Sequence, residues 1–457
     1  VSAPVAAIDH RAVLARHGTE VPRYTSYPTA PHFAAGAGPA LWAELCAGLD
    51  PQTPVSVYLH IPFCDRLCWF CGCHTKQTRR YDPVEAYVGS LVQEIAAFRA
   101  RLGFSPRLGA LHLGGGSPSF LAAGDMARLS EALHGAFRFT PDAEISVEID
   151  PSDVTPQALA GLRALELTRA SIGVQDFSPE VQAAINRPQS FEETRDVIDE
   201  LRASGCVTIN VDVLYGLPLQ TPERLDATVE KVVDLQPERI ALFGYAHVPH
   251  VKKHQTMIRD EDLPGPAARL SDAARAARSL TGAGFEPVGI DHFARHGDRL
   301  ARAARAGTLR RNFQGYTADP HGTLIGFGAS AISRFPGGHV QNIVPTGLYR
   351  EAVASGRPAA LRGYRLTPDD AIRGHMIERL MCDFAIDLDA LASRFGKAAE
   401  PHVRQALRLA ASDADGLARV SGRRFFVPPE ARPLTRIVAS WFDAHLEAGT
   451  ARYSNAV

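Results

Sequence analysis

No charge of either sign dominates this chain: 49 Lys and Arg stand against 50 Asp and Glu, a formal net charge of -1. Without a positive field the chain does not gather nucleic acid or an anionic lipid surface, so neither partner is expected. Long apolar runs are missing as well, since nothing approaches the roughly 18 consecutive apolar residues that span a bilayer. The first segment is broken by Asp9, His10, Arg11 and Arg16 and holds no apolar signal core, so a cytoplasmic protein is expected. Cysteine is scarce, seven in 457 residues, yet Cys64, Cys68, Cys71 and Cys73 fall within ten positions. That crowding and the odd count argue against a disulfide scaffold and for metal or redox chemistry in a reducing compartment. Cys46, Cys206 and Cys382 stand apart and read as small buried hydrophobes.

What is present is a globular composition, 45% hydrophobic with 38 Gly and 32 Pro. The length leaves room for one α/β barrel of about 250 residues and smaller parts beside it. Short β-branched runs alternate with amphipathic segments, which signals βα units. Strands are predicted near 55–60, 110–113, 144–149, 169–174, 207–214 and 239–245. Helices are predicted near 83–102, 124–137, 156–165, 191–204 and 221–235. One face of these strands is Val, Ile and Leu; the other carries Ser56, Tyr58, His60, His112, Ser146, Glu148, Ser171, Gln175, Asn210 and Asp212. A strand buried on both faces is apolar throughout, so the polar face implies a partial barrel with a wet lumen and a site at its C-terminal mouth.

The expected fold class is therefore α/β, a partial (β/α)6 barrel with an N-terminal extension or lid (1–54), a barrel domain with its extension (55–350) and a mainly helical C-terminal domain (360–457). In that last part Thr367, Pro368 and Asp370 make an N-terminal cap for a helix through Asp383. A hairpin across Gly422 and a final helix from 432 to 447 follow. Helices plus a hairpin suit a winged-helix shape, but the near-neutral charge favours a packing or lid role over DNA binding.

The loop after the first strand reads Cys64-Asp-Arg-Leu-Cys68-Trp-Phe-Cys71, a C-x3-C-x2-C spacing. Three thiolates on one tight loop can bind three irons of a [4Fe-4S] cluster and leave the fourth open; a zinc site that also draws on Cys73 and His74 is the alternative. One βα unit later comes Gly114-Gly-Gly-Ser-Pro118, where glycines let the main chain approach a ligand closely.

This spacing resembles the signature of radical S-adenosylmethionine (SAM) enzymes. Within that superfamily, Pro22-Arg-Tyr-Thr-Ser-Tyr-Pro28, Tyr58-Leu-His-Ile-Pro-Phe-Cys64, Ser146-Val-Glu-Ile-Asp-Pro151, Gly173-Val-Gln-Asp-Phe177, Asp212-Val-Leu-Tyr-Gly-Leu-Pro218 and Arg311-Asn-Phe-Gln-Gly-Tyr316 resemble the oxygen-independent coproporphyrinogen III oxidase family. The resemblance implies Cys64, Cys68 and Cys71 as cluster ligands and two bound SAM molecules. It places Tyr58, Phe70, Gly115, Gly116, Ser117, Glu148, Gln175, Arg187, Asp212, Ala246 and Ile332 at SAM contacts, and Cys73, Tyr58 and Glu148 in catalysis. It further implies a radical SAM oxidoreductase that decarboxylates two propionates of coproporphyrinogen III to vinyl groups, a flavodoxin- or ferredoxin-type electron donor, and a monomer. Arg23, Tyr24, Tyr27, Arg310, Arg311 and Gln314 are candidates to hold the substrate's carboxylates. A haem chaperone that shares the cysteine site would lack the Pro22–Pro28 stretch and the fourth cysteine, both present here. A radical SAM methyltransferase would transfer a methyl group and release no CO2.

Overall fold

The alternating runs fold into six βα units of one sheet. A computed structural model describes residues 8–17 and 21–446. Strands β1 (Val55–Ile61), β2 (Arg107–Gly115), β3 (Arg138–Ile149), β4 (Arg169–Gln175), β5 (Thr208–Tyr215) and β6 (Arg239–Gly244) lie in sequence order, each parallel to its neighbour. Helices α1 (Asp82–Leu102), α2 (Ala123–Ala136), α3 (Pro156–Ala164), α4 (Phe191–Ala203) and α5 (Pro222–Asp234) connect them. The last three start on Thr155, Ser190 and Thr221, whose side chains accept the N–H of Ala158, Glu193 and Arg224. Each cap satisfies a donor that the first helical turn leaves open.

Register sorts the two faces. Tyr58 stands opposite His112, His112 opposite Ser146 and Ser146 opposite Arg169. One step further along, Glu148 faces Ser171, Ser171 faces Asn210 and Asn210 faces Arg239. The alternate residues, among them Val57, Leu59, Leu111, Val147, Ile172 and Val211, are buried against the helices in the largest hydrophobic core. The polar rows thus line the concave side, and the sheet is a partial barrel.

Seven parallel strands result, because β9 (Leu324–Phe327) joins parallel to β1. Antiparallel strands extend both edges: β8 (His292–Arg295) and β7 (Phe285–Val288) beyond β6, and β10 (Ile332–Phe335), β11 (Gly338–Asn342) and β12 (Ala360–Arg365) beyond β9. Residues Ala34–Ala35 pair outermost, on β12. The sheet therefore takes strands from both sides of the expected 55–350 barrel segment.

A second core gathers α7 (Pro368–Asp383), α8 (Leu388–Phe395), α9 (Glu400–Ser412) and α10 (Thr435–Ser440), with α6 (Pro266–Gly282) of the barrel contributing Leu270 at its border. Thr367 and Asp370 form a reciprocal capping box at the start of α7. The hairpin Arg419–Ser421 with Arg424–Phe426 adds Ala385–Asp387 as a third strand. Val13, Leu14, Val21, Tyr24 and Tyr27 of the N-terminal stretch are buried in this same core, whereas Trp42, Leu45 and Cys46 pack on the barrel core, so the expected 1–54 lid is divided between the two. The final helix expected over 432–447 is shorter. Residues Pro429–Leu434 form a 3-10 turn that contains Pro433, and α10 stops at Ser440. Beyond it Asp443 accepts the Tyr24 hydroxyl at 3.0 Å and the Ala444 N–H donates to the Tyr27 oxygen at 3.0 Å, tertiary bonds in place of a further helical turn. Glu447 lies outside the described residues. Cys46, Cys206 and Cys382 are buried free thiols.

Candidate functional site

The cysteine loop leaves the C-terminal end of β1 and is held to two distant segments through its main chain. Trp69 donates its N–H to Ile185 O (2.9 Å), and Asn186 donates its side-chain amide to Leu67 O (2.9 Å). His254 donates to Cys71 O (2.7 Å), Gln255 to Phe70 O (2.9 Å) and Lys252 to Cys73 O (2.8 Å). Carbonyls bound in this way fix the loop and leave the sulfurs facing inward.

Cys64, Cys68, Cys71 and Cys73 line one cavity of 220 Å3 together with Phe70, Gly115, Gly116, Ser117, Glu148, Gln175, Arg187 and Asp212. Burial pushes the Cys64 and Cys68 thiols above their ordinary range, with Arg187 opposing it at Cys68. Hydrogen bonds from Cys73 hold Cys71 below its range, and the backbone contribution is the Cys73 N–H, 3.4 Å from Cys71 Sγ. Buried thiols without cationic partners are inert until a metal takes their protons' place, and N–H groups aimed at sulfur are a feature of iron–sulfur ligation. The donor set therefore fits a cluster.

Arg187 is buried, although its place beside a helix end reads in sequence as compatible with a surface charge. It donates to Asp150 Oδ2 at 2.8 Å and to Gly173 O at 2.6 Å, and its Nη1 lies 3.5 Å from Cys68 Sγ. Its Nε is buried without a partner. Glu148 accepts the Gly115 N–H (2.9 Å) and bonds to His112 Nε2 (3.2 Å). Burial alone would raise its pKa; those two bonds outweigh burial and hold it below the usual carboxylate range. Asp212 goes the other way, raised by burial and then by the Glu148 charge, while Ser171 and Asn210 hydrogen-bond its oxygens.

The glycine triplet serves the protein's own packing. A Cβ at Gly114 would meet the Glu148 carboxyl at 2.7 Å, at Gly115 the His60 ring at 2.4 Å, and at Gly116 Phe63 O at 2.6 Å. Removing these side chains lets β1, β2 and β3 close on Glu148, and the main chain of residues 115–117 becomes cavity wall.

Three sequence-derived contact residues lie elsewhere. Tyr58 sits on β1 with its hydroxyl 2.9 Å from His60 Nδ1 and its ring stacked on His112. Ala246 offers its carbonyl to Gln255, which also fixes Phe70. Ile332 lies on β10, at the far side of β9. His60 donates through Nε2 to His74 O at 2.9 Å, and burial lowers its pKa to about 4, so the imidazole is neutral. Four residues were not singled out from sequence: Asp150, Asp153, His254 and Gln255. Asp150 closes the Ser146–Pro151 motif, where an Asp-Pro pair signals a cap; His254 and Gln255 sit in a stretch with no motif. Asp153 is half-buried with its carboxylate oxygens turned inward, and burial followed by the Asp150 charge pushes it up to about 8.

The cysteine cavity continues into the barrel lumen, a 160 Å3 space that shares Glu148, Ser171 and Asp212 with it and adds His112, Asn210, Phe243, His292, Gln314 and Tyr316. Of the six expected carboxylate holders, Gln314 lines this lumen, and Arg23 and Arg311 line a third cavity beyond it. Arg310 is engaged by Glu378 at 3.0 Å, and Tyr24 and Tyr27 bond to residues 443 and 444.

Known proteins match the chain over these same elements. The sequence model of the Radical SAM superfamily matches residues 58–232, and that of the HemN C-terminal domain matches residues 366–434. An oxygen-independent coproporphyrinogen III oxidase from Cereibacter sphaeroides is 47% identical, covering 95% of this chain and 96% of its own. The protein of the same name from Bradyrhizobium diazoefficiens is 46% identical, over 96% and 97%. The solved coproporphyrinogen III oxidase of Escherichia coli, described as a radical SAM enzyme, superimposes with a TM-score of 0.89 at 38% identity over 96% of this chain and 100% of its own. These matches run over nearly the full length of the chain and of its relatives, and the chain belongs to the oxygen-independent coproporphyrinogen III oxidase family of the radical SAM superfamily.

Proposed function

We propose that the chain converts two propionate side chains of coproporphyrinogen III to vinyl groups, giving protoporphyrinogen IX without oxygen in haem biosynthesis. Each conversion releases one CO2, one proton and two electrons. The observation that carries this reading is the continuous path from a cavity lined by Cys64, Cys68, Cys71, Glu148 and Arg187 into a polar lumen. Cys64, Cys68 and Cys71 would hold a [4Fe-4S] cluster, whose chemistry is the one-electron reductive cleavage of SAM to methionine and a 5′-deoxyadenosyl radical.

The remaining work belongs to the chain. Glu148 and Arg187 carry opposite charges on one cavity wall, the pair that an α-amino group and an α-carboxylate require. Phe70 supplies an apolar surface for adenine, while Gly115, Gly116 and Ser117 present main chain. Gln175 and Asp212 supply polar groups to the same wall; two SAM molecules belong to this reading, with Tyr58, Ala246 and Ile332 among their contacts. Tyr58 is held by the neutral His60 and stacks on His112, so its ring is fixed behind a residue that lines the lumen. Cys73 acts beside the cluster through its N–H on the Cys71 sulfur. The sheet and helices keep bulk water from the lumen, which a reactive carbon radical requires.

Electrons enter at the outer side of the loop, where Lys252 lies on Cys73 O and Lys76 is exposed. That positive rim suits an acidic flavodoxin- or ferredoxin-type donor. A cytoplasmic monomer belongs to the same reading; among the described residues no helix is long and apolar enough to cross a membrane. The test is an anaerobic incubation of iron-reconstituted protein with SAM, dithionite and coproporphyrinogen III. Protoporphyrinogen IX with 5′-deoxyadenosine, by way of a tri-propionate intermediate, is expected. SAM cleavage without decarboxylation would overturn the substrate, and haem binding without SAM cleavage would overturn the enzyme.

A further inference from the structure

Four basic side chains line the lumen: His112, Arg169, Arg239 and His292. Three of them are engaged by acceptors of the protein itself. His112 bonds to Ser146 Oγ at 2.6 Å and to Glu148 at 3.2 Å, Arg169 donates to Glu144 at 2.9 Å, and Arg239 donates to Asp298 at 2.8 Å. The fourth, His292, opens β8 and is only 7% exposed. Its Nδ1 lies 2.8 Å from Asp291 Oδ1, and among the described residues Nε2 has no hydrogen-bond partner. Two rings fix the imidazole edge to face, Phe243 at 5.4 Å and Tyr316 at 5.2 Å. Tyr316 is itself pinned, since its hydroxyl donates to Met381 O at 2.6 Å and accepts the Ile290 N–H at 3.2 Å. Burial would raise the Asp291 pKa, yet the His292 bond, ahead of the nearby positive charges, holds it at about 2. An ionised Asp291 accepts the Nδ1–H, so the lone pair of the neutral ring sits on Nε2.

Register sets this ring against the wall that the lumen shares with the cysteines. His292 pairs with Ala241 and Ala241 with Asp212, so ring and carboxyl stand in one row, two strands apart, with only a methyl group between them. Asp212 and Glu148 line both the lumen and the cysteine cavity. A propionate that brings its β-carbon toward the cysteines therefore adds a third carboxyl group beside these two. Like charges in one site push a carboxyl toward its acid form, and a carboxylic acid releases CO2 only after giving up its proton. We infer that His292 Nε2 binds the carboxyl group of the reacting propionate and takes its proton, R–COOH and imidazole becoming R–COO⁻ and imidazolium. The carboxylate is then ready to leave as CO2. Asp291 is the positioning residue that aims the ring and supplies the countercharge. The inference rests on the proposed function for the identity of the ligand, and neither residue is among those that the sequence points to.

The test is anaerobic turnover of iron-reconstituted protein with SAM, dithionite and coproporphyrinogen III, with CO2 and 5′-deoxyadenosine measured in the same reaction. His292→Ala should lower CO2 release about 100-fold, the lower end of what a positioned proton acceptor contributes, and CO2 released per deoxyadenosine should fall with it. Iron content and thermal midpoint should stay at wild-type level. Added imidazole should restore much of the CO2 release in His292→Ala, which a merely structural loss would not allow. Asp291→Asn keeps the volume but not the charge that holds the tautomer, and should lose less, about ten-fold. Wild-type CO2 release in His292→Ala would overturn the inference, as would a loss that imidazole leaves unrepaired. Should His292→Ala fail to hold its cluster, His292→Gln decides, because it fills the same space without taking a proton. Loss of CO2 release with the cluster intact supports the inference there, and wild-type release overturns it. No CO2 from the wild type would instead overturn the proposed function and take this ligand with it.

Discussion

The two ends of the cavity system answer charge in opposite ways. At the cysteine end the two groups of opposite charge are each held by a side-chain partner: Arg187 meets Asp150 at 2.8 Å, and Glu148 bonds to His112 at 3.2 Å. At the far end four arginines face one aspartate. A wall that balances its own charge suits a ligand that brings both signs, as an amino acid's ammonium and carboxylate do. A wall lined mainly by arginines suits a ligand that brings carboxylates. In the proposed function the first is the cofactor end and the second the substrate end of one barrel.

The strongest way to break the cysteine end is to remove a sulfur. Cys64→Ala, Cys68→Ala or Cys71→Ala should abolish the iron–sulfur absorbance and lower SAM cleavage below detection, while porphyrin binding persists. Iron and sulfide analysis beside a porphyrin fluorescence titration reads both halves of that statement. Next in size, Arg187→Ala leaves the half-buried Asp150 carboxylate without its cation and should cost about 3 kcal/mol in urea unfolding. Adding Asp150→Asn should restore part of this; an unchanged midpoint in the single variant would show that the pair is not what holds the wall.

Acid offers a gentler probe of the same wall. His60 titrates near 4 in the fold and about 6.5 when unfolded. Between those values the unfolded chain binds the extra proton, so this residue's contribution to stability is complete above pH 6.5 and falls as pH drops toward 4. At pH 5 the loss is about 2 kcal/mol, and His60→Asn should lose it. The comparison of wild type with variant at pH 7 and pH 5 isolates that slope from other groups; parallel curves would place His60 in a more solvated setting. The smallest effect belongs outside both ends. Arg163 and Glu200 pair at 2.6 Å on the outer helices with half their surface exposed, and Arg163→Ala should change stability by less than about 1 kcal/mol and leave both ligands' affinities unaltered.

Much of this architecture is legible in the sequence because its signals are local. Alternating Val, Ile and Leu against Ser, His, Asn and Asp marks every barrel strand, though β3 begins at Arg138, well before the alternation does, and Thr367, Pro368 and Asp370 announce α7 by their capping chemistry alone. The cysteine loop reads directly from spacing. What escapes is long-range. Tyr24 reaches Asp443 across 419 positions, so nothing near residue 24 reveals that the N-terminal stretch shares the C-terminal core. The end of the last helix is hidden for the same reason, since the groups that replace its final turn come from Tyr24 and Tyr27. Arg269 and Arg436 are single arginines on helices, indistinguishable in sequence from solvated charges; only the approach of three chain segments turns them into one cavity wall. Glu148 and Asp212 share a polar face by periodicity, but that one is held ionised and the other pushed up depends on His112 and Gly115, which the register alone brings close.

The most direct test of the central claim follows one hydrogen atom. Coproporphyrinogen III deuterated at the β-carbons of its propionates would be turned over anaerobically with SAM and dithionite, and the 5′-deoxyadenosine weighed by mass spectrometry. One deuterium in the deoxyadenosine for each CO2 released is the expected result. Deoxyadenosine free of deuterium, formed while CO2 is released, would contradict the account, because the cysteine end and the substrate end would then not meet in the lumen that joins them.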